Sequence, residues 1–262
     1  MQIRGSTVLL TGATGGIGQA VARELRRQGA ELVLSGRNED LLHELARELD
    51  ARALRADLSR REEAEQLAAD AGPVDILVAN AGLQGGGRLE RYDIAELDTV
   101  LDVNLRAPLV LARLLMGHMV DRRRGQLVFM SSQNGKAAAP RASLYNATKF
   151  GLRGFAHALR ADLHDSGVGV SVISPGFIRD AGIFARSGVR LPPWLGTRSP
   201  QDVADALVHA IEGNRAEVDV APWPMKLGSA FAGVAPELFA IATRMTGGDR
   251  LAERITEHPQ PH

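Results

Sequence analysis

The chain has no cysteine, which removes disulfides, thiolate metal sites and thiol nucleophiles from consideration and fits a reducing compartment. Net charge is absent too: 31 basic and 31 acidic side chains cancel, so no electrostatic case for nucleic acid exists. The run Arg122-Arg123-Arg124 reads as a solvated helix end. The seven histidines are scattered without a helical His-x-x-x-His pair, and no metal centre is expected. There is no repeat, low-complexity tract or interdomain linker. Met1 to Gly5 leads straight into an apolar run, which leaves no room for a signal peptide and makes a cytoplasmic location the expectation.

What is present is the composition of an ordinary globular protein: 45% hydrophobic and 24% charged over 262 residues, enough for one large α/β domain. Short apolar strands are expected near 7–10, 31–35, 52–56, 75–79, 125–131, 168–174 and 217–220. Amphipathic helices fall between them, near 17–28, 38–49, 60–70, 93–121 as two segments, 143–165 and 200–213. Alternation of this kind predicts a single-domain, Rossmann-like, doubly wound parallel sheet of about seven strands with helices on both faces. Ligands of such sheets bind beyond the carboxyl ends of the strands.

Two motifs fall there. After the strand Thr7-Val8-Leu9-Leu10, Gly12, Gly16 and Gly18 form a Gly-x-x-x-Gly-x-Gly turn into a helical pattern of Ile17, Val21 and Leu25. Missing side chains let backbone approach a pyrophosphate, and the helix N-terminus offers free N–H groups and a positive dipole end. Later, Tyr145 and Lys149 stand four apart, one helical turn, so phenol and ammonium share a face. A phenol of ordinary pKa about 10 is brought towards a useful range by a neighbouring cation. Taken alone, the pair also describes a surface tyrosine beside a solvated lysine.

Both motifs, in this order, resemble the short-chain dehydrogenase/reductase family from Thr7 to about Gly182, and further segments carry the likeness. Asp57-Leu58 matches the aspartate segment that holds adenine. Asn80-Ala81-Gly82 matches the Asn-Ala-Gly turn, Asn104 the catalytic asparagine, Ser132 the catalytic serine, and Pro175-Gly176 the turn after the sixth strand. The resemblance implies an NAD(P)-dependent oxidoreductase acting on a carbonyl or secondary alcohol. Tyr145 would supply the proton and Ser132 hold the carbonyl oxygen. Lys149 would keep the tyrosine acidic and bond the nicotinamide ribose, and Asn104 would hold a water linked to Lys149. Coenzyme contacts would come from Gly12, Thr14, Gly15, Gly16, Ile17, Gly18, Arg37, Asp57, Leu58, Asn80, Ala81, Gly82, Tyr145, Lys149, Pro175, Gly176 and Ile178. A homodimer or homotetramer is also implied.

Coenzyme choice turns on Ser35-Gly36-Arg37 after the second strand, where no acid stands to accept ribose hydroxyls and a guanidinium does stand. That favours NADP. Gly15, where many NADP-using relatives have a second basic residue, leaves NAD open, as does reading Arg37 as a solvated helix residue. Where the family usually has a threonine after the Pro-Gly turn, this chain has Asp180, so nicotinamide contacts are expected from the backbone of Ile178. The domain is expected to span 1–220 with a lid around 178–200, its apolar Phe184, Leu191, Pro192, Pro193, Trp194 and Leu195 suggesting an apolar or bulky substrate. Residues 221–262 are expected to form a mostly helical extension packed on the same domain. Its stripe of Leu227, Phe231, Val234, Leu238, Ile241 and Met245 reads as a packing face, with a lid or a membrane-surface contact as alternatives; it is short of the ~20 apolar residues of a spanning helix. The rival functions are NAD-dependent alcohol oxidation and a non-catalytic coenzyme-binding scaffold.

Overall fold

A computed structural model describes residues 1–187, 189, 191 and 195–256. Its framework is a seven-stranded parallel sheet of β1 (Thr7–Thr11), β2 (Glu31–Gly36), β3 (Arg52–Arg55), β4 (Ile76–Ala79), β5 (Gly125–Met130), β6 (Val168–Pro175) and β7 (Glu217–Val220). The spatial order is β3-β2-β1-β4-β5-β6-β7, so chain direction across the sheet reverses between β1 and β4. That switch point opens a crevice at the strand ends where the glycine turn sits. Strands β4, β5 and β6 are buried along their whole length. This is why β4 reads as a continuous apolar run, while β5 and β6 bury Gln126, Ser171 and Ser174 among their apolar residues.

Helices α1 (Gly16–Arg27), α2 (Glu39–Leu49) and α8 (Pro200–Glu212) cover one face, α3 (Arg61–Ala71), α5 (Ala107–Asp121) and α6 (Ser143–Asp162) the other. Alternate residues of β1 serve the two cores: Val8 and Leu10 meet Val21, Leu25, Leu42 and Leu207, while Leu9 lies with Leu67, Leu111, Leu152 and Phe129. Phe129 is fully buried and meets the Phe155 ring edge-on, with centroids 5.6 Å apart. Truncating such a ring costs about 3–5 kcal/mol. Helix starts are set by side chains at two places that matter below: Asn38 accepts from the Leu41 N–H at 3.0 Å, and Ser199 and Asp202 cap α8 reciprocally.

The expected strands and main helices lie within a residue or a few of their observed bounds. The segment expected as two helices over 93–121 is α4 (Ile94–Leu101), a π-helical turn Asp102–Arg106, and α5. A short helix, α7 (Gly182–Ser187), lies in the lid region, where no element was expected. Of the lid residues named from sequence, Pro192, Pro193 and Trp194 lie outside the described residues.

Beyond β7 the chain forms α9 (Trp223–Val234), α10 (Pro236–Met245) and α11 (Gly248–Thr256). Here the expectation of a packing face needs correction. Leu227, Phe231, Val234, Leu238, Ile241 and Met245 are exposed, Val234 by 87%. The extension instead turns its small residues inward, burying Ser229 and Ala232. Among the described residues no helix is long and apolar enough to cross a membrane.

Candidate active site

The glycine turn is built by close approach. Gly12 has φ +64, and a Cβ there would stand 2.7 Å from Ala81 Cα. A Cβ on Gly18 would strike the Gly12 carbonyl oxygen, so α1 starts tight against the end of β1. Gly15 faces open space apart from that carbonyl, and no side chain among the described residues caps α1. With no acid in its first turn either, α1 keeps N–H groups and dipole available to an anion. These features fit a coenzyme pyrophosphate. Over the turn lies the segment after β6: a Cβ on Gly16 would meet Ala181 Cβ at 2.6 Å, and Ile17 sits 3.6 Å from where a Gly182 Cβ would be.

Asn80 ties the two central strands together. Its N–H donates to Thr11 Oγ1, and its side-chain amide to the carbonyl oxygens of Thr11 and Gly12 at 3.0 and 3.1 Å. The Ala81 N–H also reaches Thr11 Oγ1, at 3.1 Å. Thr11 was missed from sequence; its place as the last strand residue before the glycine turn was the available signal. Along the crevice, Arg37 is exposed at the end of β2, and Thr14 closes against Gly36, 3.1 Å from a Cβ built there. Asp57 Oδ1 accepts from the N–H and hydroxyl of Ser59. Burial works against the ionised Asp57, but those bonds and the charges of Arg37 and Arg55 hold its carboxyl below the usual range. The Leu58 side chain belongs to the core, leaving its backbone to the crevice.

At the far end of the crevice Asn104, fully buried in the π-helical turn, clamps the loop after Gly82. Its Oδ1 accepts from the Leu83 N–H at 2.7 Å, and its Nδ2 donates to the Leu83 carbonyl at 2.9 Å and to Thr148 Oγ1 at 3.3 Å. A Cβ on Gly82 would stand 3.5 Å from Asn104 Oδ1 and 3.6 Å from Lys149 Nζ. Lys149 itself is 3% exposed and donates to the Met130 carbonyl at 2.8 Å. Its ammonium lies 5.6 Å from the centroid of the Tyr145 ring. Ser132, at the end of β5, opens a 3-10 turn over Gln133–Gly135. Its hydroxyl accepts from the Asn134 N–H at 3.1 Å and reaches towards the Pro175 carbonyl at 3.4 Å, and it lies near enough to the Tyr145 phenol to favour the ionised form.

The electrostatics differ from the sequence expectation in one respect. Loss of solvation pushes the Tyr145 phenol up to about 12, and the nearby Ser132 hydroxyl offsets only part of it. Burial draws the Lys149 ammonium down to about 8. In this arrangement the Lys149 ammonium is engaged by the Met130 carbonyl. At neutral pH Tyr145 is protonated and Lys149 still charged, which is the state a proton donor needs.

Beyond Gly176, an isolated parallel bridge pairs Ile178 with Arg198, made by the Arg179 N–H to the Arg198 carbonyl and the Arg198 N–H to the Phe177 carbonyl. The peptide groups of Ile178 are not used in it. Asp180, at φ +64, faces Arg179 at 3.5 Å. Arg141, in the loop before α6, is held by Glu253 of α11 at 2.6 Å, so the extension reaches the rim of the site.

A parallel sheet with this switch point, this glycine turn and a serine–tyrosine–lysine group at its carboxyl end defines a dinucleotide-dependent oxidoreductase class. Residues 6–187 match the family model for short chain dehydrogenase, and the chain belongs to the short-chain dehydrogenase/reductase family of NAD(P)-binding oxidoreductases. It is 34% identical to the "Ketoacyl reductase HetN" of Nostoc sp. over 83% of this chain and 79% of that one. With the "Dehydrogenase/reductase SDR family member 7B" of Xenopus laevis it shares 31% identity, covering 90% and 80% of the two chains. Among solved structures it is similar to a short-chain dehydrogenase from Sphingobium yanoikuyae in complex with NADPH, with TM-score 0.75, 25% identity, and 97% and 96% of the two chains covered.

Proposed function

We propose that the chain is an NADPH-preferring carbonyl reductase acting on an apolar or bulky carbonyl compound. The observation that carries this reading is the protonated Tyr145 phenol, with Ser132 close enough to favour its ionisation and the Lys149 ammonium flanking its ring, all at the carboxyl end of the sheet. A nicotinamide coenzyme, when bound, supplies the hydride. The protein's part is to meet the charge that grows on the carbonyl oxygen. Ser132 holds that oxygen with its hydroxyl and Tyr145 delivers a proton to it. Lys149, freed from the Met130 carbonyl or shared with it, stabilises the phenolate left behind. Asn104 fixes the wall beside Lys149 and orders a water between Lys149 and solvent.

For the coenzyme, Gly12 to Gly18 hold the pyrophosphate, Asp57 and the Leu58 backbone the adenine, and Ala81-Gly82, Pro175-Gly176 and the Ile178 backbone line the nicotinamide end. Arg37 meets a 2′-phosphate, which an acid there would repel. The NADPH held by the Sphingobium yanoikuyae dehydrogenase supports this choice. NAD-dependent oxidation of a secondary alcohol is the second reading, favoured by Gly15 where a second cation would strengthen NADP binding. The same reading places residues 1–220 in the catalytic domain, 221–262 in an extension of it, and the protein in the cytoplasm as a homodimer or homotetramer. Leu114 and Phe150, exposed on α5 and α6, support self-association. The test is NADPH oxidation against aldehydes, ketones, quinones, steroids and 3-oxoacyl thioesters. Turnover of none of them, with coenzyme bound, would leave the non-catalytic reading.

A further inference from the structure

Gln133 directly follows Ser132, and its side chain ends in a buried polar joint where three elements meet. The amide nitrogen donates to the Ser174 carbonyl at 2.9 Å and to Asp219 Oδ1 at 2.7 Å, and the amide oxygen accepts from Ser229 Oγ at 2.7 Å. Those partners belong to the end of β6, to β7, and to α9 of the extension. Gln133 is 5% exposed and Ser229 4%, so a bond lost here is not replaced by bulk water. Asp219 is gripped in turn by Lys136 Nζ at 2.9 and 2.8 Å, which returns the network to the segment it started from. On the same side Glu217 binds Arg153 at 2.9 Å, His157 at 3.1 Å and Ser174 Oγ at 3.1 Å. Every donor of the Gln133 amide is engaged, and polar networks so completed fix a single local geometry.

The Ser132 hydroxyl, by contrast, has weak restraints of its own, the 3.4 Å approach to Pro175 being the longest of them. Its position is therefore set by the backbone of the turn that Gln133 holds. We propose that Gln133 is a positioning residue through which α9, by way of Ser229, sets the Ser132 hydroxyl against Tyr145. This rests on reading Ser132 and Tyr145 as the carbonyl-reducing pair. It gives the extension a task inside the site: losing one hydroxyl on α9 should alter the proton path without touching substrate or coenzyme. Packing of the extension has its own contacts, with Met225 and Ala221 against Gly176, none of which uses the Ser229 oxygen. A misplacement of 1 Å in a reacting group costs up to about 100-fold in rate.

The two tyrosines of the chain allow the approach of Ser132 to Tyr145 to be observed without activity. In protein labelled with [13Cζ]tyrosine, Tyr145→Phe assigns the two signals and Ser132→Ala gives the displacement that accompanies loss of the Ser132 hydroxyl beside the phenol. The expected result is that Gln133→Met and Ser229→Ala move the Tyr145 signal in the same direction as Ser132→Ala, while the Tyr92 signal stays. With NADPH and an accepted carbonyl substrate, kcat should fall about 10- to 100-fold in each variant with coenzyme Kd unchanged, and the double variant should be little worse than Gln133→Met alone. Tyr145 signals unmoved in both variants would overturn the proposal, as would kcat equal to wild type. If Gln133→Met does not fold, Ser229→Ala decides by itself. Should the wild type reduce no carbonyl compound, the functional reading fails, and the Tyr145 signal still decides whether α9 positions Ser132.

Discussion

Replacing Arg37 by aspartate should reverse coenzyme preference. The side chain is exposed at the carboxyl end of β2, beside Asp57, whose carboxyl it helps to hold ionised. Thr14 stands within 3.1 Å of a Cβ built at Gly36, so a side chain there would crowd it. A guanidinium on a phosphate makes charge-assisted hydrogen bonds worth about 1.5–3 kcal/mol, and solvent exposure favours the lower end. At ~1.4 kcal/mol per decade, NADPH should lose about 10- to 100-fold in kcat/KM. Arg37→Asp also supplies the acceptor that the two hydroxyls of an NADH ribose want, so NADH should hold or gain. The assay is kcat/KM for both coenzymes with one fixed carbonyl substrate at low ionic strength. A wild type that already prefers NADH, or a mutant that loses equally with both, would show Arg37 to be a solvated residue and would sink the NADP assignment.

The reductive kcat should fall as pH rises through about 8, where Lys149 gives up its proton, and Lys149→Arg should carry the plateau to higher pH; a profile flat from pH 6 to 10 would remove the lysine from the proton path. Asn104→Leu should destabilise the protein by about 1–3 kcal/mol in denaturant melts, because it leaves the Leu83 N–H and carbonyl without their partner; an unchanged midpoint would refute the clamp. Burial alone would raise the Glu217 carboxyl, but Arg153 and the Lys136 charge hold it down to about 2. With its folded value below its unfolded one, its stabilisation is present above about pH 4.5 and is lost as pH falls towards 2. Glu217→Gln should therefore flatten the acid limb of the stability curve, which acid titration of both proteins checks.

The sheet was legible because short, mostly apolar strands alternate with amphipathic helices and the glycine turn has local chemistry that few other structures require. Of the candidate residues, Tyr145 and Lys149 were found by their spacing on one helix, and Ser132, at a strand end, by the family resemblance. What spacing does not carry is direction. Lys149 beside Tyr145 predicts an acidic phenol, yet the ammonium is spent on a carbonyl from β5, a partner that only the fold brings close. The joint at Gln133 was invisible for the same reason: Ser131 to Lys136 reads as a polar turn, and nothing local points to Asp219 or Ser229. The extension was misread because an apolar stripe at helical spacing says that a face is apolar, and in this structure small residues do the packing while that face stays exposed.

The most direct measurement is turnover of Tyr145→Phe beside wild type, with NADPH affinity determined on the same preparations. The backbone of Tyr145 that packs against Gly85 is unchanged, and the substitution removes only the phenol oxygen beside Ser132. With Tyr145 as the proton donor, kcat for carbonyl reduction drops by about 10²- to 10⁴-fold while the NADPH Kd stays within a small factor of wild type. A variant that keeps most of its activity, or one that loses coenzyme binding in proportion to turnover, would contradict that assignment.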